Sequence, residues 1–291
     1  RGSSVYQQTL NLTISEKQKL RRLLEENYLP KNRVYRYNFF YDNCTTRARD
    51  IIEKCIEGKV VYSEGKERLS FRDIVHQYTK GHEWDELGID MCLGSEADNP
   101  IDTRKQMFAP FYMLEAAKKA TIVVGDSVRP LILHEKKVVD VEPEDVREGF
   151  PLSPMVCVFI LIGVTCFVGW LQFKIRKIIW IWDLLLFGVQ GLAGCVITFL
   201  VFFSTHPTVG SNWLILLLNP IPLIYLPVMV YRAIKGKKDY YHTINIVCLT
   251  SFMMIMPFIQ QKFNVTVLPL ALCLLVCSTG HVFLYYRQNS K

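Results

Sequence analysis

From position 151 onward the chain has only two Asp+Glu against ten Lys+Arg, so the basic surplus behind its net charge of +7 sits there and the first part is close to balance. A surplus strung between apolar runs is not the clustered footprint of a nucleic-acid binder, and no nucleic-acid partner is expected. Cysteine and histidine never fall at the spacing of a sequence-encoded metal site, which leaves no metal to expect. No glycine-rich phosphate cradle occurs either, and no cofactor is expected. Two more things are lacking. The sequence opens at Arg1-Gly2-Ser3-Ser4 without an initiator Met or an apolar export signal, and no histidine precedes Cys44.

What the chain has in quantity is apolar side chains: half of its 291 residues are hydrophobic, too many for an ordinary soluble protein. They are unevenly spread. The sequence is mixed and charged before Gly149 and dominated by apolar runs after Pro154, with Pro143, Gly149, Pro151 and Pro154 punctuating the change. This divides the chain into 1–150 and 151–291. Five apolar stretches follow, at 154–173, 178–204, 213–231, 244–259 and 265–285. A bilayer core of about 30 Å takes about 20 helical residues, so four of them span comfortably. The short fourth spans with Tyr240, Tyr241 and Gln260 at the interfaces. If the first stretch enters from outside, Lys174, Arg176, Lys177, Arg232, Lys235, Lys237, Lys238, Arg287 and Lys291 are cytoplasmic, and Lys262 alone is external. The first 150 residues are then extracytoplasmic.

Within them, the stretch Tyr37-Asn38-Phe39-Phe40-Tyr41-Asp42-Asn43-Cys44-Thr45-Thr46-Arg47-Ala48-Arg49-Asp50 draws most of the chemistry. Tyr35, Tyr37, Phe39 and Tyr41 alternate as a strand would place them on one face. Asp42 and Asn43 are helix-capping types, and Ile51, Ile52, Cys55 and Ile56 then recur at helical spacing. Cys44 falls in the first turn, where unpaired N–H groups and the helix dipole favour a thiolate, an activated nucleophile. Most cysteines are small buried hydrophobes. The polar Asp42 and Asn43, the two threonines and the nearby Arg47 and Arg49 favour the reactive reading. Arg49 and Glu53 also read as an i,i+4 pair on a solvated face.

Around this stretch the pattern predicts a helix over 15–28 capped by Ser15 with Leu20, Leu23 and Leu24 inward, and a loop or hairpin over 58–65. It further predicts a helix over 71–78 capped by Ser70, turns over 81–102, a helix over 103–119 interrupted or entered late because of Pro110, a hairpin within 121–133 and a strand over 138–141. His76 and His82 could in principle serve as bases for Cys44 but read as surface or satisfied residues. An oxidising compartment would allow Cys55 and Cys92 to pair, though their spacing does not require it. In the apolar half, Asp183 and His281 lie at similar depth, where ionisable groups pair, line a cavity or snorkel. Gly188, Gly191 and Gly194 read as a packing face. His206 lies in the external turn that continues through Pro207, Ser211, Asn212 and Trp213.

The Cys44 stretch resembles the signature of the Lnb-type N-terminal periplasmic domain, a bacterial envelope family, over residues 5–113, and the membrane helices behind it resemble that family's arrangement. The resemblance implies an α+β extracytoplasmic domain of permuted papain-like type followed by an α-helical transmembrane bundle of five helices. It also implies a general-base histidine upstream of the cysteine. Some relatives are lipoprotein N-acyltransferases, which move an acyl chain from the glycerol of a lipidated cysteine to its α-amine. By this resemblance the expected protein is multi-pass in the bacterial inner membrane with its first domain periplasmic. Cys44 would form a thioester, Asp42, Asn43, Arg47 and His206 would support it, and membrane lipid and a lipoprotein would be the partners. The chain is expected to begin inside a longer protein whose earlier part carries the export signal and the base. A cell-wall cysteine peptidase and a non-catalytic envelope scaffold or sensor are the competing readings.

Overall fold

The computed structural model describes residues 4–65, 68–141 and 150–289. They form two compact units, one of 1–74 with 100–148 and the other of 75–99 with 149–291. In chain order come β1 (Val5–Leu10), α1 (Ile14–Tyr28), α2 (Cys44–Cys55), β2 (Lys59–Val61), α3 (Phe71–Thr79), α4 (Glu83–Cys92), α5 (Thr103–Gln106) and α6 (Pro110–Lys119). Strands β3 (Thr121–Val124), β4 (Ser127–Pro130) and β5 (Ile132–Val139) follow. The apolar half then runs α7 (Pro154–Ile175), α8 (Trp180–Phe203), α9 (Pro207–Gly210), α10 (Ile221–Lys235), α11 (Tyr240–Ile255) and α12 (Val267–Asn289).

Two antiparallel sheets organise the first unit: β1 with β5, and β2-β3-β4. The expected hairpin is β3–β4, turning at Gly125-Asp126, with Gly125 at φ 56 as a two-residue turn requires. The 58–65 segment makes no hairpin of its own, because β2 pairs with the distant β3. The strand expected over 138–141 is the tail of the longer β5. Cys55, Ile56, Ala117, Ala120, Ile122, Leu131 and Ile132 are buried together, and Leu20 and Leu23 of α1 pack against them. Leu24, expected inward, is half exposed. The helix expected over 103–119 is interrupted at Pro110 as expected, giving α5 and α6, because Pro110 has no N–H to continue the first and opens the second instead.

The cap of α1 is Thr13, not Ser15: Glu16, three residues on, closes a reciprocal box with Thr13. Thr13 Oγ1 accepts from Glu16 N at 3.2 Å, and the Glu16 carboxylate accepts from Thr13 N at 2.8 Å. Glu16 is fully buried and also accepts from Glu57 N at 2.9 Å and from Arg129 at 2.5 and 2.6 Å. Burial by itself would raise its pKa, but the hydrogen bonds from Thr13, Glu57 and Arg129 outweigh it and hold the carboxyl below its ordinary range. A depressed folded-state pKa stabilises the fold above the unfolded pKa and is lost as pH falls through the folded one. The first unit is therefore expected to lose stability on acidification below about pH 4, near the ordinary glutamate pKa. In Glu16→Gln the fold should be weaker at neutral pH and the acid limb flatter, as read by thermal melts across pH.

Among the described residues, five helices are long and apolar enough to cross a membrane: Pro154–Ile175, Trp180–Phe203, Pro207–Lys235, Tyr240–Phe258 and Val267–Gln288. The third is discontinuous. Its continuous helix begins at Ile221, and the expected helical start at Trp213 is a 3₁₀ turn, Trp213–Leu216. Non-helical backbone at such depth must be covered by protein. Leu214, Leu217 and Leu218 are accordingly buried, and Gln190 of α8 donates to the Leu217 carbonyl at 2.8 Å. The approach requires glycine: a Cβ on Gly194 would lie 2.2 Å from the Asn219 carbonyl carbon.

Residues 75–99 hold the loops at one end of these helices. Gly94 N donates to Thr208 O at 2.7 Å, Asn212 Nδ2 to Met91 O at 2.7 Å and Gln261 Nε2 to Leu93 O at 3.1 Å. The turns expected over 81–102 instead contain α4, which three acidic residues in its first turn favour. Gly194→Ala is expected to cost about 1–3 kcal/mol by overpacking. Gly188→Ala, whose Cβ would meet only Leu226 at an ordinary 3.8 Å, should leave the detergent-solubilised melting temperature unchanged.

Candidate active site

The aromatic run ahead of Cys44 is not the strand its alternation suggests. Asn38 Oδ1 accepts from the N–H groups of Phe40 and Tyr41 at 3.2 and 3.3 Å, folding the chain into a tight turn closed by an Asn38–Asp42 bridge. The out-of-phase Phe40 is the buried ring, packed on Phe71 and Phe108 with centroids 4.5 and 5.0 Å away. Tyr37, Phe39 and Tyr41 are left exposed. Local side-chain-to-backbone bonding has overridden strand propensity here.

The turn delivers Asn43 as the cap of α2. Its Oδ1 accepts from Thr46 N at 2.9 Å, and its own N–H donates to Thr46 Oγ1 at 2.8 Å. Its Nδ2 donates to the carbonyls of Phe39 and Phe108 at 2.8 and 2.9 Å. Cys44 is the first helical residue and is exposed. Its thiol has no hydrogen-bond partner among the described residues. The backbone N–H groups of Cys44 and Thr45 likewise have no acceptor there, the two orphan donors that the cap leaves open. Chemically, this is an accessible sulfur beside two free donors.

Asp42 is held by Arg47 through two bonds of 2.7 and 2.9 Å, and the Arg47 guanidinium lies 3.5 Å from the centroid of Tyr35. Arg47 is thus a brace for the turn, its fork engaged on one carboxylate. Arg49, read as solvated, is buried: it bonds Asp50 and the Arg104 carbonyl, and Arg104 also holds Asp50 and Glu53. Tyr37 is a neighbour that strand reasoning missed. Its hydroxyl is pushed above the ordinary range, chiefly by burial and then by the nearby Cys44 and Tyr35.

The expected residues are not all in one unit. Asp42, Asn43, Cys44 and Arg47 lie in the first, and His206 in the second, where it caps α9 through its backbone and is half-buried. His76 also belongs to the second unit. It is more than a surface residue: its Nε2 meets Asp90 Oδ1 at 2.8 Å, and Asn264 donates to Asp90 Oδ2 at 3.0 Å. Cys55 and Cys92 are free thiols; Cys55 is buried, with its Sγ donating to Ile52 O at 3.1 Å.

Asp183 and His281, expected at their depth to pair, line a cavity or snorkel, meet at 2.8 Å. With Cys277 they form one of two groups among the described residues whose atoms lie within 4.8 Å of one another, as metal ligands do; the other is His76, Glu86 and Asp90. Linear spacing hides both groups, although Cys277 and His281 stand four apart on one helix face.

A small α+β domain with an accessible cysteine at a helix start, in one chain with five apolar helices able to span a bilayer, defines a class: membrane proteins carrying a cysteine-bearing domain. The description "Lnb transmembrane domain" matches residues 145–289, and "Lnb N-terminal periplasmic domain" matches residues 1–80. The chain belongs to the Lnb family and is a bacterial membrane protein with a periplasmic N-terminal domain. No curated protein and no solved structure matches it.

Asn43→Ala, which deletes the cap, is expected to destabilise the first unit by about 1–2 kcal/mol. Peptide mapping after brief alkylation should find Cys44 modified well before Cys55, whose thiol burial both shields and pushes up in pKa.

Proposed function

We propose that the protein is a periplasm-facing thiol acyltransferase of the bacterial inner membrane. Cys44 is its nucleophile, and lipoprotein N-acylation is its reaction. The observation that carries this reading is the exposed Cys44 at the capped start of α2, with two unused N–H donors beside it and exposed Tyr37, Phe39 and Tyr41 just before it. An exposed aromatic surface of this kind suits an acyl chain.

In the proposed reaction the Cys44 sulfur attacks the ester carbonyl of an acylglycerol. The Cys44 and Thr45 N–H groups receive the developing oxyanion. Collapse breaks the ester C–O bond, and the thiol proton, carried by the family's histidine base, leaves on the glycerol hydroxyl. An S-acyl thioester remains on Cys44. The amine of a lipoprotein N-terminus then attacks it, forming an amide and returning the thiol; with water in place of the amine the same site is a hydrolase. Asp42, Arg47 and Asn43 keep the turn in place, and Tyr37 donates to the reacting centre. Five spans favour a lipid-borne substrate over a cell-wall peptidase, which would need only an anchor, and His206, in the external turn, is positioned for a headgroup.

The full-length protein in vesicles with a diacylated lipopeptide tests this by mass spectrometry. The wild type should yield N-acylated product and an acyl adduct on Cys44 that hydroxylamine removes. Cys44→Ala should yield neither, and Tyr37→Phe should slow transfer with the fold intact. Unchanged acylation in Cys44→Ala would reject the transferase reading.

A further inference from the structure

Within the second unit, Asp183 on α8 and Cys277 and His281 on α12 are buried together, at 0%, 7% and 4% exposure. We propose that these three side chains form an intramembrane binding site for a divalent cation of the zinc class, with a fourth position beside His242 on α11.

Cys277 and His281 are one helical turn apart and present a sulfur and an imidazole nitrogen to the same carboxylate. Cys277 Sγ is 3.7 Å, and His281 Nε2 2.8 Å, from Asp183 Oδ1. Metal–ligand bonds of about 2.0–2.3 Å in a tetrahedral site set ligand atoms roughly 3.3–3.7 Å apart. The sulfur–oxygen pair already has that separation, and the nitrogen–oxygen pair needs to open by about half an ångström to admit the ion.

Two buried atoms point to a missing partner. Asp183 Oδ2 and His242 Nε2 have no hydrogen-bond partner among the described residues, at a depth where such groups are costly. The His242 ring stacks on His281 with centroids 3.9 Å apart. Its other nitrogen, Nδ1, faces Ser278 Oγ at 3.4 Å, and Asn245 holds that hydroxyl at 2.9 Å. These contacts orient the imidazole with Nε2 free, as the surroundings of metal-binding histidines do. A cavity of about 20 Å³, enough for one water, is lined by both imidazoles together with Lys237, Lys238 and Asp239, and gives a polar approach to the two histidines.

Charge and donor type select the ion. A divalent cation with one thiolate and one carboxylate makes a neutral cluster, which suits an apolar bundle, and binding displaces the Cys277 proton to solvent. One sulfur, one nitrogen and one oxygen match zinc rather than magnesium or calcium, which take oxygen ligands.

The test uses the full chain in detergent without a histidine tag, its exposed cysteines first blocked by alkylation. It should retain about one zinc per chain by elemental analysis. After chelation, cobalt should restore visible tetrahedral bands and a near-ultraviolet sulfur-to-cobalt band. Cys277→Ser should lose the sulfur band, and His281→Asn should lose stoichiometric metal. Failure of the blocked wild type to hold zinc, or a cobalt spectrum without the sulfur band, would overturn the proposal and leave Asp183–His281 as a buried pair. The wild-type spectra decide even if a variant fails to fold.

Discussion

The start of α2 depends on how one amide side chain is used. Asn43 caps the helix through Thr46 and ties the carbonyls of Phe39 and Phe108 to the same point, so the aromatic turn, the helix and the segment before α6 meet at the residue preceding Cys44. Every polar atom of its side chain has a partner, which suits it to hold geometry rather than to react. With Thr46 taken by the cap and Arg47 N bonded to Asn43 O, only the first two N–H groups of α2 remain open. The bidentate Asp42–Arg47 pair, stacked on Tyr35, braces the same turn from its outer side.

A different constraint governs the apolar half: a polar group at membrane depth must find its partner within the protein. Gln190 meets the carbonyl freed by the broken third span, and Thr165 and Thr250 return their hydroxyls to carbonyls one turn back. At one end, the loops after α8 and α11 hydrogen-bond to residues 90–98, which therefore group with the membrane helices although their composition is that of the polar first part. Asp183 Oδ2 and His242 Nε2 are among several buried atoms of this half, with those of Trp182, Gln190, Thr198, Asp239 and Arg287, that lack a hydrogen-bond partner among the described residues.

Much of the architecture was legible because it rests on local signals. Five apolar stretches, the β3–β4 turn and the polar residues before Cys44 all act through near neighbours. Elements went astray where two local signals competed. The aromatic alternation at 35–41 implied a strand, but Asn38 bonded the backbone two and three residues on and Phe40 took the buried place. Ser15 with Gln18 offered one capping box and Thr13 with Glu16 another, and the helix took the second. The break at Trp213 was hidden because its leucines are as apolar as those of a continuous span.

Taken alone, the sequence determined how many segments are apolar enough to cross a bilayer, which side its cations favour, and that Cys44 opens a helix, since each depends on composition or spacing over a few residues. Only the tertiary structure decided that Glu16 is buried against Arg129, that His76 meets Asp90, and that Asp183, Cys277 and His281 converge with His242 beside them. Those contacts join residues far apart in the chain, and their energy comes from the exclusion of water around them. No local pattern encodes that exclusion.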